Sequence, residues 1–218
     1  MLLALDTSSA SVTVAVADGA PGAGGTVLAS ASRVDVSHHT ELLAPLVRQV
    51  CREAGVAPAA LGTVVVGVGP GPFTGLRIGI VTARALADAT GAALVGVCSL
   101  DVLAAAAGPV GADLLVATDA RRREVYWARY AVGGPQPRRV AGPAVDHPAA
   151  VPDASVLSTI GQGALLYPDV FAAAVPGGPT HPDAAVLARS VLDGTVETLP
   201  ADPLYLRRPD ARPAAPRP

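Results

Sequence analysis

Hydrophobic residues recur with two different periods in the first half of the chain, and the change of period separates predicted strands from predicted helices. Short runs rich in Val, Leu and Ala, broken by Ser/Thr and Gly/Pro turns, predict strands. Apolar positions three and four apart, with charged residues between them, predict helices. The predicted strands are 2–5, 11–17, 26–32, 63–68 and 93–97, and the predicted helices are 39–54, 74–90 and about 100–107.

The second half begins in the same way as the first. Asp6 and Asp119 each follow an apolar strand, and six residues later Val12 and Val125 open the next strand. A third strand follows at about 138–145. This self-similarity favours a duplicated lobe, and two such lobes facing a cleft are the layout of the actin-like ATPases. The predicted fold is therefore α/β and actin-like (ASKHA), with two βββαβα-type lobes.

The lobes are expected to divide the chain at residues 1–102 and 103–206. A strand is predicted near 155–160 and a helix at 182–192, whereas 204–206 is either a last short strand or a packed anchor. Residues 207–218 are rich in Pro, Ala and Arg without apolar periodicity, so a disordered tail is expected. A solvated tail is favoured over one that touches RNA phosphates.

The composition and net charge limit the kinds of partner that the protein is expected to bind. Half of the 218 residues are hydrophobic, the formal net charge is −2 and the pI is about 6.0, so nothing in the overall charge favours nucleic acid or anionic membrane. All 16 cationic residues are Arg. Cys51 and Cys98 form no CxxC pair and are expected to be small buried hydrophobes. Without a basic leader or a long apolar run, the protein is expected in the cytoplasm, with no membrane contact.

A Gly-rich turn at 67–75 joins a predicted strand to a predicted helix. Its backbone could cradle phosphate, but Leu76 stands where a Walker A loop needs Lys, and Pro70 and Pro72 remove two N–H donors. The favoured interpretation is a rigid turn with Thr74 as the helix N-cap.

The helix that follows this turn carries a small residue at every fourth position: Gly75, Gly79, Ala83 and Ala87. Such a face lets another backbone approach closely, and the 39–54 helix is the expected neighbour. The apolar residues left over on this pair favour either a helix-to-helix subunit interface or burial inside the chain.

The sequence contains few candidate catalytic residues. Asp6, Thr7, Ser8 and Ser9 place a carboxylate and hydroxyls at a hairpin turn, where they either approach a nucleotide or simply close the hairpin. The matching turn after Asp119 carries three arginines, unlike a phosphate loop. The four histidines lack the spacing of a metal pair, and no nucleophile elbow occurs, so no catalytic or metal-binding residue is assigned.

Several segments, in order along nearly the whole chain, resemble the TsaB (YeaZ) family of bacterial tRNA threonylcarbamoyladenosine biosynthesis subunits. The most specific is the stretch from Gly69 to Arg77, in which Pro72 replaces the family's usual Ser. The others are Leu5-Asp6-Thr7-Ser8-Ser9, His39-Thr40-Glu41-Leu42-Leu43, Asp119-Ala120-Arg121 with Glu124-Val125-Tyr126, and Leu204-Tyr205-Leu206-Arg207.

The resemblance implies an actin-like fold shared with the catalytic paralogue TsaD, whose HxxxH metal pair falls at Ser99 and Leu103 here. Because Leu cannot bind a cation, the resemblance implies a non-catalytic scaffold with no intrinsic cofactor. The implied partners are a TsaD-like subunit, a TsaE-like ATPase and tRNA through the complex, with ATP or ADP at the subunit interface. The rivals are a homodimer and an autonomous nucleotide hydrolase or M22-like metalloprotease. The expected interface residues are His39, Leu42, Leu43, Leu46, Val50, Gly75, Arg77, Gly79, Val81 and Ala83.

Overall fold

The computed structural model describes residues 1–35, 39–108, 113–134 and 136–207. Its first half forms a five-stranded sheet of order β3-β2-β1-β4-β5. Strands β1 to β3 form an antiparallel meander, whereas β4 and β5 run parallel to β1. The elements of this half are β1 (Leu2–Asp6), β2 (Ser11–Gly19), β3 (Gly25–Val34), α1 (His39–Glu53), β4 (Thr63–Gly67), α2 (Phe73–Thr90), β5 (Ala93–Val97) and α3 (Ser99–Ala106).

Both faces of the first sheet are buried, which explains why residues 2–5 of β1 and 64–66 of β4 are continuously apolar instead of alternating with polar residues. Leu3 and Leu5 point toward α1 and α2, whereas Leu2 and Ala4 point to the other face. Helix α5 (Ala184–Leu192), which comes late in the chain, covers that second face.

The second half forms a four-stranded sheet of order β8-β7-β6-β9, again with an antiparallel meander and a parallel fourth strand. One face packs on α3 through Leu100 and Leu103, and the other packs around Trp127 and Phe171. The elements of this half are β6 (Leu114–Asp119), β7 (Val125–Ala131), β8 (Arg138–Asp146), β9 (Ser158–Ile160), α4 (Gln162–Leu166) and α5 (Ala184–Leu192), with single 3₁₀ turns at Pro58–Ala60 and Pro148–Ala150.

The repeated order, with the first strand of each lobe between the second and the fourth, confirms the predicted two-lobed actin-like fold. The division at residue 102 stays a prediction, since α5 returns to the first sheet. Residues 204–206 form an anchor rather than a strand, because Leu204 packs against two cores and its N–H donates to Val68 O at 2.9 Å. The predicted disordered tail begins at Arg207, which the structure describes and which donates to Ala120 O at 3.0 Å, whereas residues 208–218 lie outside the described residues.

One local prediction is wrong, one short helix was missed and one prediction is confirmed. Helix α2 begins at Phe73 after Pro72, so Thr74 is inside the helix rather than its N-cap, and no side chain caps this terminus. The short helix α4 was not predicted. Cys51 and Cys98 are both free and buried, as expected. In the described part of the chain, no helix is long and apolar enough to cross a bilayer.

Candidate functional site

Asp6, at the end of β1, is almost completely buried, with 1% of its surface exposed. Its Oδ2 accepts a 2.6 Å hydrogen bond from the Ser99 hydroxyl, and its Oδ1 accepts a 2.7 Å bond from the Ser8 N–H. The Ser99 hydroxyl in turn accepts from the Gly69 N–H at 3.1 Å. The carboxylate therefore ties the first strand to α3 and to the Gly-rich turn.

The space around Asp6 is filled by the protein itself. Gly67 has no side chain because a Cβ there would collide with the Asp6 carboxylate. Burial raises the pKa of Asp6, although the hydrogen bonds from Ser99 and Ser8 act in the opposite direction. A carboxylate enclosed in this way is suited to bracing the turn rather than to meeting a ligand.

Thr7 lies against the glycine face of α2. Its hydroxyl donates to Gly75 O at 2.7 Å, and a Cβ at Gly79 would collide with that hydroxyl. The close approach that the small residues permit is therefore made by the first hairpin of the same chain. Ser8 is buried and Ser9 is half-buried, and both border a cleft between the lobes.

That cleft has a volume of about 110 Å³ and is bordered by both lobes. Small-molecule pockets usually measure about 300–1,000 Å³, so the cleft as it stands is smaller than a nucleotide site. On the second-lobe side it meets Asp119, Arg121 and His181. Burial lowers the pKa of His181.

The turn after β6 has an unusual backbone. Arg121, Arg122 and Arg123 are consecutive and all have φ between 55° and 62°, a left-handed conformation that non-glycine residues seldom adopt. Asp119 holds the turn, accepting the Arg121 N–H at 2.8 Å and lying 3.4 Å from its guanidinium. All three arginines are exposed, and Arg121 borders the cleft. The turn thus brings the Arg121 side chain to the cleft where a phosphate loop presents its backbone.

The positions equivalent to the catalytic paralogue's metal pair are both inside the protein. Ser99 is fully buried and committed to Asp6, and Leu103 is fully buried in the core between α3 and the second sheet. Within the described ranges, no three His, Cys, Asp or Glu residues come together as metal ligands.

The ten expected interface residues divide into two groups. Six face the chain's own core and shape the two helices without offering contact surface: Leu43, Leu46, Val50, Gly75, Gly79 and Ala83. His39 and Leu42 are half-buried, Arg77 is exposed and Val81 is 63% exposed. Partner binding by α1 and α2 stays a prediction, and these four residues are the ones able to make it.

Sequence reasoning missed two features of this region. The contact between Asp6 and Ser99 joins positions 93 residues apart, and nothing in the pattern of either segment signals it. Tyr205, named only as part of a family motif, stacks on Phe73 beside Arg77 at the start of α2. The available signal was that two of the motifs that resemble the family carry an aromatic residue, Phe73 in one and Tyr205 in the other.

These observations define the class of the protein. It is a two-lobed actin-like protein in which the fold itself encloses the carboxylate of the first lobe. A family model described as TsaD, tRNA N6-adenosine threonylcarbamoyltransferase, matches residues 15–170. The structure is similar to YeaZ from Pseudomonas aeruginosa, with a TM-score of 0.74 and 33% identity over 94% of this chain and 99% of that one. The chain belongs to this family, in its TsaB (YeaZ) branch.

Sequence relatives agree with this assignment. The tRNA threonylcarbamoyladenosine biosynthesis protein TsaB of Escherichia coli is 33% identical over 140 residues, which are 61% of each chain. An uncharacterized protein of Mycobacterium leprae is 42% identical over 98% of this chain. The match covers 56% of the M. leprae protein, so this chain spans little more than half of that relative.

Proposed function

We propose that this chain is a non-catalytic scaffold subunit in tRNA threonylcarbamoyladenosine biosynthesis. It dimerises with a TsaD-like catalytic subunit and supports threonylcarbamoyl transfer to N6 of the adenosine next to the tRNA anticodon. The pathway is supported by relatives named TsaB in Escherichia coli and Bacillus subtilis. A 63-residue segment is also 40% identical to a tRNA N6-adenosine threonylcarbamoyltransferase of Erythrobacter litoralis.

The enclosure of Asp6 carries the scaffold assignment. In a working ATPase of this fold, the first-lobe carboxylate and the neighbouring hydroxyls face phosphate and metal. Here the Asp6 carboxylate accepts from Ser99 and Ser8, and the Thr7 hydroxyl donates to α2. Leu103 supplies an aliphatic side chain where the resemblance requires a metal ligand. These groups hold the turn together, so the transfer chemistry is assigned to the partner.

The exposed side of α2 is the proposed contact with the TsaD-like subunit. Val81 is a large apolar side chain with most of its surface in solvent, and Phe73 is 38% exposed on the same helix. Burial of exposed apolar side chains is the main driving force for stable association. In this proposal a TsaE-like ATPase is the third partner, and ATP or ADP binds at the interface between this chain and the TsaD-like subunit. The tRNA binds through the complex, which acts in the cytoplasm.

The interface is tested with two exposed valines. Val81→Glu places a charge on the proposed contact, whereas Val156→Glu makes the same change at a 73% exposed position of the second lobe. Each variant is mixed with the TsaD-like subunit of the same organism and analysed by size-exclusion chromatography. Loss of co-elution for Val81→Glu alone is expected. Equal co-elution of both variants would show that α2 is not the interface.

The pathway role and the absence of autonomous catalysis need separate measurements. Cells depleted of this protein should lose threonylcarbamoyladenosine from digested tRNA, and the wild-type gene should restore it. The isolated chain should bind no stoichiometric iron or zinc and should not turn over ATP. Turnover that Asp6→Ala removes would establish the rival assignment as an enzyme. Concentration-dependent sedimentation, with and without the TsaD-like subunit, separates a homodimer from the heterodimer.

A further inference from the structure

The last described segment of the chain, residues 199–207, runs as a strap over three parts of the structure. At its start, the Leu199 and Gly96 backbones exchange two 2.8 Å hydrogen bonds at the edge of β5. In the middle, Ala201 O accepts from Arg84 of α2 at 2.9 Å. At its end, Arg207 donates to Ala120 O at 3.0 Å, in the turn after β6. The strap therefore connects the first sheet, α2 and the second lobe.

Where the strap crosses the start of α2, it builds an exposed cluster of two aromatic rings and an arginine, called here the aromatic–arginine cluster. The rings of Phe73 and Tyr205 stack with centroids 4.9 Å apart. The Arg77 guanidinium carbon lies 3.7 Å from the centroid of the Phe73 ring, and its Nε donates to the Tyr205 hydroxyl at 3.2 Å. These contacts hold the arginine in one place although it is exposed.

The charge of Arg77 is not neutralised by a carboxylate among the residues that the structure describes. Arg84, two turns further along α2, shows the contrast, because it pairs with Asp202 of the strap at 2.6 Å. The contacts of Arg77 use its Nε and the face of its guanidinium. Its terminal nitrogens remain as positioned donors for an anionic group outside the chain.

The cluster continues into an apolar ridge. Phe73, Arg77, Val81 and Ala85 follow one another at four-residue spacing, and all four are exposed. Tyr205, 40% exposed, widens the ridge at its Phe73 end. Aromatic residues and arginine are enriched where the binding energy of protein interfaces concentrates.

We propose that the aromatic–arginine cluster is the anchor point for a partner helix that presents a carboxylate among apolar side chains. The carboxylate pairs with the terminal nitrogens of Arg77, and the apolar side chains pack on the two rings and on Val81. This inference rests on the proposed function, in which the partner is the TsaD-like subunit. It adds that the strap, through Tyr205, forms part of the surface that α2 presents.

A protein carboxylate fits this surface better than an RNA phosphate. Nucleic-acid affinity comes from several cations that follow the backbone, whereas the ridge offers one arginine followed by Val81 and Ala85. The net charge of −2 supplies no wider positive field. Pairing at a largely apolar surface strengthens a single ion pair, because the surrounding side chains exclude water.

The test measures the Kd of the full chain for the purified TsaD-like subunit by isothermal titration calorimetry. Arg77→Glu and Tyr205→Ala should each weaken binding by about 30-fold, the scale of an interface hot spot. Tyr205→Phe keeps the stacked ring and should change Kd by less than about threefold. Arg138→Glu makes the same charge change at an exposed position of β8 and should leave Kd unchanged. Circular dichroism and thermal melting show that each variant is folded at the assay temperature.

The outcomes separate this inference from the proposed function. If Val81→Glu abolishes binding while Arg77→Glu and Tyr205→Ala bind like the wild type, the interface stands and the anchor is refuted. If Val81→Glu also binds normally, the proposed interface fails as well. Should Tyr205→Ala prove unstable, Arg77→Glu alone decides the matter. An effect of Arg77→Glu confined to labelled tRNA, or to self-association in sedimentation, would also overturn the anchor, in favour of RNA or a second copy.

Discussion

Replacing Ser99 by Ala tests whether this position braces the fold. The substitution removes one hydroxyl from a fully buried site and adds no bulk. It deprives Asp6 Oδ2 of a 2.6 Å donor and the Gly69 N–H of a 3.1 Å acceptor. Helix propensity acts in the opposite direction, because Ala in α3 is favoured over Ser by a few tenths of a kcal/mol.

The expected loss of stability follows from these two contacts. A hydrogen bond to a charged group contributes about 1.5–3 kcal/mol, and a buried donor left unpaired costs about 1–3 kcal/mol. Partial relaxation of the turn reduces the sum, so a loss of about 2–4 kcal/mol in the free energy of unfolding is expected. With an m-value of about 2 kcal/mol/M in urea, the midpoint should fall by about 1–2 M.

Urea unfolding followed by circular dichroism at pH 7 measures this change. Ser32→Ala is the matched control, because it removes the same hydroxyl from an exposed position of β3. Its midpoint should stay within about 0.3 M of the wild type, since surface substitutions of this kind change stability little. A loss below about 1 kcal/mol for Ser99→Ala, with an unchanged m-value, would refute the bracing role.

Three further predictions concern the first lobe. Leu43→Ala should lower the free energy of unfolding, measured in urea, by about 2–5 kcal/mol, because it leaves a cavity in the core. Leu42 is half-buried, so Leu42→Ala should cost less than half as much. Equal losses would contradict the assigned orientation of α1. Gly79→Ala should lower the melting temperature, since the new Cβ collides with the Thr7 hydroxyl, and an unchanged value would contradict that close approach. Burial raises the pKa of Asp6 above its unfolded value, so its ionisation opposes folding as pH rises. The stability of the wild type relative to Asp6→Asn should therefore fall as pH rises from about 4 toward neutrality, and a pH-independent difference in urea midpoints would count against the raised pKa.

Periodicity predicted the secondary structure of the first lobe because each element there has one consistent environment. Strand β1 is buried on both faces and reads as a continuous apolar run, and the stripe of α1 faces one core. The N-cap of α2 is Pro72 rather than Thr74, and this two-residue difference has a local cause. Pro72 supplies the extended residue before the helix, so Phe73 becomes its first residue and Thr74 is left without a capping role.

Long-range contacts explain why the candidate site was predicted less well. The small-residue face of α2 was recognised from its spacing, but spacing does not say which backbone approaches it. The structure shows that this backbone is the first hairpin, through Thr7. Similarly, Leu46 and Val50 of α1 were expected to contact a partner, but both are buried in the core that packs on the first sheet. An amphipathic stripe identifies a buried face without identifying what buries it.

The two opposite faces of α2 have different roles: one packs within the fold, and the other is proposed to bind the partner. Its glycine face needs the hairpin at Thr7, and that hairpin is held in place by Asp6 and Ser99. Its exposed face carries Arg77, which is positioned by Phe73 and by Tyr205 of the strap. A change at the Asp6 brace should therefore act on partner binding only through the placement of the whole helix. A change at the aromatic–arginine cluster should alter affinity while leaving the urea midpoint almost unchanged, so the two sets of variants separate the roles of the two faces.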